Sequence, residues 1–105
     1  MDNQMKQQPL NQVINYNGEL YYDLITHEKD IVHFYSNSCG PCKMIDEILI
    51  DYPNVIRINV DEYLELVDNL NIKCVPTIYI YKEGSLTDKI EGYKNKELLI
   101  NLLNK

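Results

Sequence analysis

The stretch "DIVHFYSNSCGPCKMIDEIL", residues 30–49, decides how this chain is read. Its first part, Asp30 to Ser36, is a run of β-branched and aromatic residues, the composition of a buried strand. Its last part sets Met44, Ile45, Ile48 and Leu49 at helical spacing, continued by Tyr52 on the same face. Pro53 stops that helix, because a proline forces the residue before it out of helical geometry. Between strand and helix stand Cys39 and Cys42, separated by Gly40 and Pro41. In α/β sheets, chemistry collects where strand C-termini meet helix N-termini, and the pair lies at such a junction.

A thiolate, rather than a thiol, attacks disulfides. Cys39 falls at or just before the first helical turn, with Gly40, Pro41 and Cys42 inside it. Proline is tolerated there, since first-turn N–H groups have no helical partner. Those N–H groups and the helix dipole stabilise a negative sulfur, and Lys43 adds a positive charge nearby. Cys39, at the exposed edge, is the candidate nucleophile. Cys42, one turn further in, is the candidate resolving thiol. The same spacing also serves half of a zinc or iron–sulfur site, or an inert cross-link. Beyond the pair, the chain's cysteines and histidines are Cys74, His27 and His33, which have no ligand spacing, so no metal is assigned.

Outward from this core, "QVINY" is a short strand and "GELYYDLITHEK" places Leu20, Tyr21, Leu24 and Ile25 at helical spacing. "NVIRINV" is a strand, and "DEYLELVDNL" a helix with Asp61 as its cap. "TIYIYK" alternates, with Ile78 and Ile80 on one face and Tyr79 and Tyr81 on the other. "EGS" signals a turn into an antiparallel "LTDKIEGY". "NKELLINLLNK" closes as a helix with Leu98, Leu99, Leu102 and Leu103 inward. Alternating strands and helices imply an α/β fold: a mixed, largely parallel sheet, an antiparallel hairpin at its C-terminal edge, and helices on both faces.

With 105 residues the chain suits one domain, expected over residues 12–105 with a loosely ordered polar extension at 1–11. Hydrophobic residues at 45% can supply a core without disulfide staples. A formal net charge of -6 argues against nucleic-acid binding. No apolar run approaches a membrane span, and "MDNQMKQQPLNQ" lacks the basic end and apolar run of a signal peptide. A cytoplasmic location is expected, where thiols are kept reduced and a CxxC pair favours redox or metal chemistry over a structural bridge. The nine tyrosines are read as core and edge packing, and His27 as a solvated helix-end residue.

"CGPCK" (39–43) inside a βαβ unit resembles the active site of thioredoxins. "NVIRINVD" (54–61) resembles their central strand, and "KCVPT" (73–77) the loop that carries a cis-proline. Gly84 and Gly92 stand where the family has its hairpin and closing glycines. The resemblance implies a thioredoxin fold and a protein-disulfide reductase. Cys39 would attack, Cys42 would resolve, and Val75, cis-Pro76, Thr77 and Gly92 would form the substrate-binding loop. It implies no bound cofactor beyond the Cys39–Cys42 disulfide, with electrons from an NADPH-dependent flavoprotein reductase. The implied partners are disulfide-containing proteins and that reductase, with a monomer that Cys74 could link into a dimer on oxidation. The alternatives are a thioredoxin-like binding subunit with slow redox turnover and, less favoured, a CxxC metal or iron–sulfur site that Cys74 approaches in space.

Four features depart from the family pattern. His33 stands where a buried acid is usual; it is either a neutral base for Cys42 or a satisfied core histidine. Beside Arg57 it would resist protonation, because like charges repel. Tyr35 and Ser38 replace two common tryptophans, leaving a barer rim next to Cys39. The helix after the cysteines is about two turns short at 1.5 Å per residue, and Glu47 replaces the proline that usually kinks it. Cys74 reads as a half-buried small hydrophobe or as a regulatory thiol.

Overall fold

The computed structural model describes residues 13–105. Five strands, β1 (Val13–Asn15), β2 (Lys29–Tyr35), β3 (Val55–Asn59), β4 (Thr77–Lys82) and β5 (Ser85–Glu91), form one sheet in the order β1-β3-β2-β4-β5. Three helices, α1 (Gly40–Leu49), α2 (Leu64–Asn69) and α3 (Lys96–Leu103), cover it. The expected extension over 1–11 lies outside the described residues.

The α/β class and the mixed sheet are as the sequence implies. β3 runs parallel to β1 and β2, while β4 is antiparallel to β2 and β5 antiparallel to β4. The antiparallel part therefore begins at β4, beside the central strand. Strand alternation divides the core into two layers. Ile31, Val55, Ile78 and Ile80 face α1 and α3, packing with Ile45, Ile48, Leu49, Leu99 and Leu103. Val32, Phe34, Ile56, Ile58, Tyr79 and Tyr81 face the other way, against Tyr21, Ile25 and the partly buried Leu66 and Leu70. Central strands buried on both faces explain the near-continuous apolar runs in the sequence. Glu83 and Gly84, both at positive φ, make the two-residue turn between β4 and β5.

Several local expectations are corrected. The helix expected near residues 18–29 is a single 3-10 turn, Tyr21–Leu24, with Leu20 74% exposed. Leu20 is extended at its N-terminus and offers no capping side chain, so burial of Tyr21 and Ile25, rather than helix propensity, holds this segment. Asp61 does not cap α2. Its N–H donates to the Asn59 side chain at 2.9 Å, which holds a turn and delays the helix to Leu64. In α3 the buried stripe runs along Leu99 and Leu103, and Leu98 faces out. Asn95 is the cap, its side chain accepting from the Leu98 N–H at 2.9 Å. His27 is not merely solvated. Its ring lies 2.8 Å from Asp30, a carboxylate buried at the start of β2 that also accepts the His27 N–H.

Candidate active site

Strand β2 ends at Tyr35, and the chain turns over Ser36–Ser38 into α1. Cys39 is the N-cap of α1 and Pro41 lies in its first turn, as the sequence implies. Cys39 and Cys42 are joined as a disulfide, with Cα atoms 5.4 Å apart. Cys39 is partly exposed, whereas Cys42 is 2% exposed and belongs to the core. Gly40, Pro41 and Lys43 lie exposed around the bridge. A Cβ on Gly40 would meet nothing within 4 Å, so crowding does not dictate that glycine. Helix α1 is ten residues long, about 15 Å, and Glu47 lies on its exposed side.

The Val75–Pro76 bond is cis. β2 and β4 are antiparallel with Phe34 opposite Thr77, so Pro76 stands level with the end of β2, where the chain leaves for the cysteines. The loop is held from two sides. The buried Thr77 hydroxyl donates to the Cys74 carbonyl at 2.7 Å, and the Gly92 N–H donates to the Pro76 carbonyl at 2.8 Å. Gly92 takes φ +82, which favours glycine. Val75 is partly exposed beside this anchored segment. Cys74 is a free cysteine at an exposed position, which corrects the half-buried reading; the Thr77 hydroxyl donates to its carbonyl and lies 3.8 Å from its Sγ.

Behind the cysteines, His33 and Arg57 are neighbours as the sequence implies, and Asp46, which the sequence reading did not single out, joins them. His33 is fully buried, and its Nδ1 lies 3.1 Å from Asp46 Oδ1. Arg57 pairs with His33 in the β2–β3 register, but the Asp46 carboxylate stands between the two side chains. The expected direct repulsion is therefore replaced by a shared anion. Arg57 reaches on to Asn15 at 2.9 Å and lies 4.0 Å over the Tyr35 ring, a cation–π contact. Ser38 is exposed, so the rim beside Cys39 is polar.

Burial, the largest single influence, pushes the Asp46 carboxyl up; hydrogen bonds and charge from His33 and Arg57 outweigh it and hold the group below the ordinary carboxylate value. Nε2 of His33 is buried with no hydrogen-bond partner. An orphaned buried polar atom costs about 1–3 kcal/mol and calls for a functional account. The sequence carried one signal for Asp46: an acid four residues after Cys42, within the apolar stripe Ile45, Ile48, Leu49. Among the described residues, no group of three or more His, Cys, Asp or Glu side chains could hold a metal ion. No described helix is long and apolar enough to cross a membrane.

A cysteine bridge at a helix N-terminus, level with an anchored cis-proline loop, defines the site of a thiol–disulfide oxidoreductase. The thioredoxin family model matches residues 12–105. A thioredoxin of Chlamydia pneumoniae is 35% identical over 81 residues, covering 71% of this chain and 79% of that one. The oxidised thioredoxin of Plasmodium falciparum is 32% identical with a TM-score of 0.72, over 89% of this chain and 96% of that one. A mutant thioredoxin from Halobacterium salinarum NRC-1 has a TM-score of 0.77 at 24% identity, covering 90% of both chains, and supports the fold. The chain belongs to the thioredoxin family. Its redox centre is the Cys39–Cys42 pair, and its chemistry is dithiol–disulfide exchange.

Proposed function

We propose that Cys39 attacks disulfides of protein substrates and that Cys42 resolves the mixed disulfide. The observation that carries this assignment is the asymmetry of the pair: Cys39 sits at the helix cap with part of its surface open, and Cys42 is 2% exposed. The free N–H groups of the first turn favour the thiolate at the edge. His33 takes the proton from Cys42. Its full burial and its unpartnered Nε2 favour this role over a satisfied core histidine. Val75, Pro76, Thr77 and Gly92 form the substrate-binding loop: the partly exposed Val75 receives an extended substrate segment, and the buried Pro76 and Thr77, with Gly92, hold it in place.

Electrons come from an NADPH-dependent flavoprotein reductase, and the protein works in the cytoplasm over a single domain, residues 12–105. It acts as a monomer, and oxidation of the exposed Cys74 links two copies.

Reduction of insulin by dithiothreitol tests the assignment. The wild-type protein accelerates precipitation of the insulin B chain, Cys39→Ser falls to the uncatalysed rate, and Cys42→Ser accumulates a mixed disulfide. A Cys39→Ser protein with wild-type activity overturns it. Equilibration against glutathione then separates a reductant from an oxidant, a strongly reducing potential being expected.

A further inference from the structure

We propose that Asp46 is a positioning residue for proton transfer at the cysteine pair: it holds His33 in the tautomer protonated at Nδ1 and so keeps the Nε2 lone pair free for the Cys42 proton. The inference rests on the reading of His33 as the base, and it adds the group that makes His33 a base at the correct nitrogen.

Three observations converge. The Asp46 carboxylate accepts from Arg57 at both oxygens, from Nε at 3.0 Å and from Nη2 at 3.1 Å. An ionised carboxylate has no hydrogen to donate, so across the 3.1 Å contact the donor is the Nδ1–H of His33. A neutral ring protonated at Nδ1 carries its lone pair on Nε2, the nitrogen that is buried without a partner. Cys42 and Asp46 are four apart on α1 and so lie on one face, one turn from each other. The ring that touches Asp46 therefore lies beneath the turn that carries Cys42. The charged and titratable groups facing His33 are Asp46 from α1, with Cys42 one turn before it on the same helix, Arg57 from β3 and Tyr35 on β2 itself; β4 contributes the apolar Ile78. The depressed Asp46 carboxyl agrees with its being ionised throughout the working range.

The step balances. In the mixed disulfide, the Cys42 thiol proton passes to His33 Nε2, and the Cys42 sulfur attacks Cys39 Sγ. The Cys39–Cys42 bond forms, and the bond from Cys39 to the substrate sulfur breaks. The substrate thiolate leaves with the electron pair and takes a proton from water. The dithiol has lost two electrons and the substrate disulfide has gained them. The imidazolium, stabilised by Asp46, releases a proton to solvent.

The test compares wild type, Asp46→Ala, Asp46→Glu and His33→Ala, all as full chains in a Cys74→Ser background. In Asp46→Ala the carboxylate between the ring and Arg57 is gone, so Nδ1 loses its acceptor and the guanidinium favours the lone pair on Nδ1, which moves the ring proton to Nε2 and blocks the acceptor. Nitrogen-15 imidazole spectra of the reduced proteins report the tautomer and also show whether each variant is folded. Stopped-flow reaction with Ellman's reagent separates the Cys39 attack from the Cys42 resolution, each releasing one thionitrobenzoate.

We expect Asp46→Ala to invert the tautomer, leave the first phase unchanged and slow the second by roughly 10²-fold near neutral pH, the size of a general-base contribution. The deficit closes at high pH, where Cys42 ionises unaided, and Asp46→Glu restores the wild-type tautomer and rate. An unchanged tautomer in folded Asp46→Ala overturns the proposal. So does a normal second phase with an inverted tautomer, if His33→Ala is slow. If His33→Ala is itself unimpaired, the reading of His33 as base falls, and this inference falls with it.

Discussion

Arg57 grips the Asp46 carboxylate with two hydrogen bonds, Nε to Oδ1 at 3.0 Å and Nη2 to Oδ2 at 3.1 Å. This fork ties the central part of the sheet to α1 directly behind the cysteine pair. It also makes stability depend on pH. Burial pushes the Asp46 carboxyl up, but His33 and Arg57 bring it below its ordinary value. Folding therefore favours the ionised form. The resulting stability is fully present above the unfolded carboxylate value and is lost as pH falls through the lower folded value. Urea midpoints of wild type and Asp46→Asn should differ by a constant amount above about pH 5 and converge in acid. A difference that persists unchanged at the acid end would show that the charge contributes nothing.

Thiol labelling should follow the burial of the three sulfurs. In the folded, oxidised protein iodoacetamide modifies Cys74 alone, because that thiol is free and exposed while Cys39 and Cys42 are bridged. After reduction Cys39 reacts as well, and Cys42, at 2% exposure, reacts only on unfolding. Peptide mass spectrometry reads the order, and early labelling of Cys42 would contradict the assignment of roles. On non-reducing gels, oxidant-induced dimer should vanish in Cys74→Ser.

Gly92 offers a backbone test free of steric ambiguity. It takes φ +82, yet an added Cβ would meet nothing within 4 Å. Gly92→Ala should therefore destabilise by about 1 kcal/mol through conformation alone. The measurement is a denaturation midpoint; a neutral result would mean that the turn relaxes and that the Gly92 N–H to Pro76 carbonyl bond does not hold it.

The Tyr21 and Tyr81 hydroxyls are 2.9 Å apart in the layer facing α2. Burial pushes Tyr81 up to about 12, so it stays neutral across the working range. Tyr81→Phe leaves the buried Tyr21 hydroxyl short of this partner and should cost about 1–3 kcal/mol. Adding Tyr21→Phe should cost less than Tyr21→Phe costs in the wild type, because the orphan is gone. Strict additivity in this double-mutant cycle would show that the pair is not coupled.

Elements built from local pattern were legible in the sequence. The alternation in Thr77–Lys82 assigned Ile78 and Ile80 to one layer and Tyr79 and Tyr81 to the other, because a strand has a period of two wherever it is paired. The cysteines were placed at a helix start for a similar reason: the strand before them and the apolar stripe after them are short-range signals. Expectations failed where a local rule met a competing partner. Asp61 had the composition of a cap, but the Asn59 side chain took its N–H. Leu20 had helical spacing, but a single 3-10 turn holds only Tyr21 and Ile25 in the core. Cys74 had the size of a core residue, but it sits in the loop before β4, where the Thr77 hydroxyl meets both its carbonyl and its sulfur and the residue stays exposed.

Periodicity, turn residues and the Cys-Gly-Pro-Cys run were enough to specify an α/β sheet with a cysteine pair at a strand–helix junction, because each depends on neighbours within a few residues. The environment of that pair was decided by tertiary packing. His33, Asp46 and Arg57 come from β2, α1 and β3, and their meeting depends on the parallel β2–β3 register and on which face of α1 lies on the sheet. No local rule encodes that placement, since the forces that set it are burial of the apolar stripe of α1 and pairing of distant strands. Once set, it puts one carboxylate between a buried imidazole and a guanidinium, and the protonation chemistry of the site follows from that.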